Sequence, residues 1–144
     1  KEFIDRYFER YSGVQAFLRS LAEKARKTGY ASTLWGRRRY IPEIDSQNRM
    51  RREMAERTAI NAPLQGTAAD LIKAAMVSVH RRLHQEGLKS RMILQVHDEL
   101  VLEVPLNEKE KVSKLVTQEM VGALATKVPL KVDSGYGPNW QLAK

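Results

Sequence analysis

The chain has 144 residues, 42% of them hydrophobic and 29% charged, with 25 Lys and Arg against 17 Asp and Glu for a net charge of +8. That length allows one domain burying roughly two-thirds of its unfolded surface, and the absence of cysteine excludes disulfides and thiolate metal sites. No apolar run reaches the ~18 to 20 residues of a membrane span, and Lys1-Glu2-Phe3-Ile4-Asp5 lacks the pattern of a signal peptide, so a soluble protein with no membrane partner is expected.

The first residue is Lys, not Met, and the chain is expected to begin inside a longer protein. Phe3, Ile4, Tyr7, Phe8 and Tyr11 recur at helical spacing. After Ser12-Gly13, Val14, Phe17, Leu18, Leu21, Ala22 and Ala25 do the same, predicting two consecutive helices with Tyr7, Phe8, Tyr11 and Phe17 in the core. Thr28-Gly29 is a stop signal, and Tyr30 to Leu34 and Arg38 to Ile41 flank Trp35-Gly36 as a small hairpin. Asp45 or Ser46 can cap a helix running to about Ala62, where Pro63 and Gly66 interrupt or bend the pattern. Thr67 with Asp70 fits a capping box for a further helix, with Leu71, Ile72, Ala75, Met76, Val79 and Leu83 on one face and its end at Gly87. His80 and His84 are expected on its surface.

Beyond Gly87 the period changes. Arg91 to Val96 and Leu100 to Val104 form a β-hairpin joined at His97-Asp98-Glu99, Asn107 with Glu110 starts a helix burying Val112, Leu115, Val116 and Met120, and Leu130 to Tyr136 reads as a last strand. From about residue 64 the order helix, strand, strand, helix, strand is a split β-α-β-β-α-β motif without its first strand, an α+β architecture whose missing strand is expected upstream.

Charge is uneven: residues 1 to 60 hold 14 Lys and Arg against 8 Asp and Glu, and residues 61 to 144 hold 11 against 9. Arg37, Arg38, Arg39, Arg49, Arg51, Arg52 and Arg57 make most of the excess, a patch that attracts polyanions or simply solubilises the surface. If strand-like, Arg37 and Arg39 share a face that could meet phosphate while Arg38 points elsewhere. Arg57, Asn61 and Gln65, at i, i+4, i+8, span about 80° of a continuous helix and can all donate hydrogen bonds.

Gln95-Val96-His97-Asp98-Glu99-Leu100-Val101 sets two adjacent acids at a tight turn between apolar strands. Such loops favour Asn-Gly or Gly-X, so a turn at Asp98-Glu99 implies backbone strain or a longer loop. Exposed carboxylates on a rigid turn can serve a hard cation such as Mg²⁺, and an ordinary acidic surface turn is the competing reading.

Gln95-Val96-His97-Asp98-Glu99-Leu100 resembles motif C of family A (polymerase I) DNA polymerases. Leu34-Trp35-Gly36-Arg37-Arg38-Arg39-Tyr40 and the run from Glu56 through Asn61-Ala62-Pro63-Leu64-Gln65-Gly66-Thr67 to Asp70 resemble the end of that family's fingers and the following long helix, in the same order. The similarity reaches Gly135-Tyr136-Gly137-Pro138-Asn139-Trp140. It implies a fragment of a DNA-directed DNA polymerase of replication and repair, with residues 1 to 60 the tail of the fingers and 61 to 144 the palm. It further implies two Mg²⁺ ions, primer–template DNA and dNTPs as partners, and, if bacterial, a cytoplasmic, nucleoid-associated enzyme. Asp98 matches the carboxylate that ligates both metals, Glu99 its acidic catalytic neighbour, and Arg57, Asn61, Gln65 and His97 residues near the primer terminus; Arg37 and Arg39 join the DNA-binding set. No segment resembles motif A or the triphosphate-gripping motif of the fingers, so the fragment alone is expected to be inactive and to need the upstream part of the same polymerase. A stand-alone nucleic-acid-binding module and an RNA polymerase built on the same palm are the alternatives.

Overall fold

The structure, a computed structural model, describes residues 2–143 and is α+β, with four α-helices and two small antiparallel sheets among those residues. None of the described helices is long and apolar enough to cross a membrane. The chain divides into two compact units, Lys1–Ala68 and Ala69–Lys144, with the division falling inside helix α3 (Arg49–Gln85).

In the first unit α1 (Glu2–Arg10) and α2 (Ser12–Thr28) follow one another as the periodicity predicts. Gly29 ends α2 in the left-handed region, φ 76°, and its N–H donates to the Ala25 carbonyl at 2.8 Å, a conformation that favours glycine. Strands β1 (Tyr30–Ser32) and β2 (Arg38–Tyr40) then pair with Tyr30 opposite Tyr40. The core here is Ala25, Ala31, Ile41, Ile44, Ala55 and Ala59. Four of these six are alanines, so the backbones of α2, β1 and α3 approach closely, and little apolar area is buried per residue.

Three expectations for this unit are corrected. The apolar stripe of α1 is not core: the helix has no buried residue, Phe3 is 82% exposed, and Tyr7, Tyr11 and Phe17 are also exposed. Periodicity identifies the face a helix would bury, not what lies against it, and the described residues leave most of this one uncovered, with only Phe8 half-buried among its aromatics. The long helix begins at Arg49, not beside Asp45 or Ser46. Asn48 caps it, its Oδ1 accepting from the Met50 and Arg51 N–H groups at 3.0 and 3.2 Å, while Pro42–Asp45 forms a separate 3-10 turn. Finally, Pro63 does not break the helix: α3 continues through it to Gln85. Thr67 is therefore not a cap. Its hydroxyl donates to the Pro63 carbonyl at 2.6 Å and accepts the Leu34 N–H at 3.1 Å, tying the β1–β2 connection to the helix. Gly66 permits that approach, since a Cβ there would stand 2.6 Å from Thr33 Cγ2.

The second unit contains β3 (Arg91–Val96), β4 (Glu99–Glu103) and α4 (Lys109–Gly122) with the remainder of α3. Val79, Leu83, Val112 and Leu115 form its core, with Leu88, Leu102, Val104 and Val116 packed against them, as the sequence pattern predicts. Arg82 bridges the two helices, donating to Glu86 and Glu119 at 2.6 Å each, while Ser78 also donates to Glu119 and Lys111 pairs with Glu86 at 3.0 Å. The expected strand over Leu130 to Tyr136 does not form. A strand exists only through its ladder partner. This segment instead engages α4 through the Tyr136 hydroxyl, which donates to the Lys109 carbonyl at 2.7 Å, and through a 3.1 Å contact between Ser113 and Ser134.

Glu108 fixes where the ribbon starts. Its carboxylate accepts from the Lys89 N–H at 2.9 Å and from both the N–H (3.0 Å) and hydroxyl (2.6 Å) of Ser90, just before β3. The Lys89 N–H, then the Ser90 hydroxyl, hold this carboxyl below the usual range because both favour its charged form. A depressed folded pKa contributes stability that is full above the ordinary carboxylate range, about pH 4 to 5, and is lost as pH falls through the folded pKa. Amide-exchange protection of Lys89 and Ser90, corrected for intrinsic rates, should therefore decline over that acid window, and Glu108→Gln should flatten the decline. An unchanged pH profile in the variant would remove Glu108 as the anchor.

Candidate functional site

The acidic hairpin is tighter than its sequence indicates. Val96 pairs with Glu99, so the two-residue turn is His97-Asp98 and Glu99 is the first residue of β4, correcting the expectation of a turn at Asp98-Glu99. The conformational demand falls on His97, at φ 53° among the described residues the one non-glycine with positive φ. Histidine is among the residue types enriched there, whereas a β-branched residue would be strained. The Gln95 side-chain amide donates to the His97 carbonyl at 2.5 Å and braces the turn from within β3. Gln95 went unrecognised in the sequence because nothing in the pattern marks a polar strand residue as a turn brace.

A bulge at Ile93 shifts register by one residue, with Met92 opposite Leu102 but Leu94 opposite Val101. An extra residue reverses the alternation of faces beyond it. Leu102 reaches the core, so Leu100, two residues earlier, shares its face and Glu99 lies on the opposite one. His97, Asp98 and Glu99 are all exposed, and neither carboxylate has a hydrogen-bond or ion-pair partner among the described residues. Hard oxygen donors held on a braced turn suit Mg²⁺ in kind. They fall short in number: no group of three or more His, Cys, Asp or Glu converges among the described residues.

The other candidate residues belong to the first unit. Because α3 is continuous, Arg57, Asn61 and Gln65 do share one side, and all three are exposed and without side-chain partners among the described residues. Arg37 lies before β2 and donates to the Gly66 carbonyl at 3.0 Å, which brings it beside the Gln65 end of that row. Arg38 stacks over the Tyr30 ring at 4.6 Å, and Arg39 is exposed. The alternation expected of the three arginines thus separates Arg38, held against an aromatic face, from Arg39. Arg37 is placed by its tie to the helix instead.

The family model for DNA polymerase family A matches residues 1–142. DNA polymerase I of Mycobacterium bovis is 54% identical over 99% of this chain, and that of Geobacillus stearothermophilus 50% identical over 99%. The chain spans 16% of the length of each of these curated relatives. Among solved structures, the POL domain of Pol1 from M. smegmatis, in complex with DNA primer-template and dNTP, superposes with a TM-score of 0.95 at 51% identity, covering 97% of this chain and 25% of that one.

The turn geometry makes its own prediction. His97→Val should cost about 1 to 2 kcal/mol, the penalty for a left-handed residue with a crowded Cβ, seen as faster amide exchange in β3 and β4 of the intact protein. His97→Asn should stay close to the parent because asparagine tolerates that region. Equal exchange in the two variants would mean the turn does not hold His97 in the left-handed conformation.

Proposed function

Because the chain belongs to DNA polymerase family A, we propose that it is part of a DNA-directed DNA polymerase and carries one wall of its nucleotidyl-transfer site. On this reading residues 1–60 are the tail of the fingers and 61–144 the palm. The observation that supports it most is the pair of exposed carboxylates without partners among the described residues, Asp98 on a braced two-residue turn and Glu99 beside it at the start of β4. Asp98 would be one metal ligand, with the rest supplied from outside the described residues. Glu99 would add charge beside it. When bound, Mg²⁺ supplies positive charge at the attacking and departing oxygens of the in-line displacement.

The residues of this chain then divide the remaining work. Arg57, Asn61 and Gln65 present donors along one helix face. In the minor groove every correct base pair shows acceptors at purine N3 and pyrimidine O2, so such donors sense pair shape without reading sequence. Arg37 and Arg39 lie at that unit's basic surface and would meet phosphates, which position the duplex without specifying it. The relative solved with primer-template and dNTP bound supports this assignment of partners.

Two measurements test the reading in the intact enzyme. Asp98→Asn should lower single-turnover nucleotide addition by at least ~10² to 10³, the scale for losing a principal transition-state electrostatic contact, while leaving DNA affinity nearly unchanged; Glu99→Gln should be milder. Near-normal turnover in Asp98→Asn would end its assignment as a metal ligand. Alanine at Arg57, Asn61 or Gln65 removes hydrogen bonds worth about 0.5 to 1.5 kcal/mol each, made in full only by a matched terminus. Extension from matched primers should fall more than from mismatched ones, narrowing discrimination. If all three variants extend both termini like the parent, the face is merely solvated.

A further inference from the structure

His80 and His84 have no part in the reading above. They lie one turn apart on α3, both exposed, with ring centroids 4.6 Å apart and ring planes at 72°. The i, i+4 spacing places both imidazoles over the same patch of helix surface. A divalent ion sits ~2.0 to 2.1 Å from an imidazole nitrogen, which puts each ring centroid about 3.2 Å from the metal. Two rings subtending a right angle at that metal have centroids about 4.5 Å apart, and two at the tetrahedral angle about 5.2 Å. The observed spacing, in an edge-on contact of the two rings, agrees with the right-angle value and so puts both imidazoles within reach of one ion.

We propose that His80 and His84 form a bidentate site for a tetragonal transition-metal ion, Cu²⁺ or Ni²⁺, on the surface of α3. Imidazole suits these ions, and a tetragonal arrangement of nitrogen and oxygen ligands is their preferred geometry, whereas Mg²⁺ does not compete for nitrogen. No group of three or more potential ligands converges among the described residues, so water fills the other positions. Nearby charge permits binding. Arg82 is already engaged by Glu86 and Glu119, leaving Arg81, exposed and screened by solvent, as the opposing cation next to the pair. A metal bound here clips together successive turns near the C-terminal end of α3, and because the unfolded chain does not hold the two rings at this spacing, binding stabilises the folded helix.

The test uses the intact protein. Cu²⁺ titration followed by electron paramagnetic resonance should show one equivalent with two nitrogen ligands, undiminished by saturating Mg²⁺, that is lost in the His80→Asn/His84→Asn double variant. Each single variant should bind at least about tenfold more weakly, since even the loss of an outer-shell partner costs 10- to 100-fold. In the parent protein labelled at histidine, substoichiometric Cu²⁺ should broaden the ring signals of His80 and His84 together, a reading that needs no variant to fold. Equal stoichiometry and affinity in the double variant, or ring signals left sharp at one equivalent, would overturn the site.

Discussion

The passage of α3 through Pro63 without a break is the constraint on which most of this molecule depends. A proline inside a helix removes one i to i−4 hydrogen bond and crowds the preceding turn, commonly ending or kinking it. Here the helix continues for 22 further residues, from Pro63 to Gln85. Around the proline, the Thr67 hydroxyl bonds the Pro63 carbonyl and the Leu34 N–H, Arg37 bonds the Gly66 carbonyl, and Gly66 leaves room for Thr33. One uninterrupted helix supplies Ala55 and Ala59 to the first core and Val79 and Leu83 to the second. It also keeps Arg57, Asn61 and Gln65 in phase, because a kink at residue 63 would turn Gln65 away from the other two.

The acidic hairpin depends on a different economy. Its turn has no glycine, and the left-handed residue is His97, next to Asp98. The brace from Gln95 lies inside the turn, and Glu108, in the 3-10 turn just before α4, fixes the entry to β3. Asp98 is thereby exposed on a turn braced from within, as the metal ligand proposed here would require, since ligand geometry must be set before the ion arrives.

Large apolar side chains remain uncovered on α1 and on β3, where Ile93 and Leu94 are both exposed. The two cores are correspondingly small, and one is largely alanine. Ion pairs do not compensate: the Arg91–Glu103 pair across the ribbon, at 2.7 Å but with both side chains well exposed, adds little. The Arg82 cluster is better placed because Glu86 and Glu119 are mostly shielded and each acid is held by more than one donor.

Much was legible in the sequence because it depends on local chemistry. Helical and strand periods, the stop at Gly29, the cores built on Val79, Leu83, Val112 and Leu115, and the acidic turn all follow from spacing and residue type, and so did the resemblance to DNA polymerase family A, carried by contiguous motifs. Other features depend on what lies across space. That α3 runs on through Pro63 and there meets the β1–β2 connection through Thr67 and Gly66 is visible only in three dimensions; whether Leu130 to Tyr136 is a strand was decided by the presence of a ladder partner, and whether Tyr7 and Phe17 are core, by what covers them. The turn at His97 rather than Glu99 was decided by the register of Val96 with Glu99 and the bulge at Ile93. Periodicity is a property of one segment, whereas burial, pairing and register are properties of two, and only the tertiary structure states which segments meet.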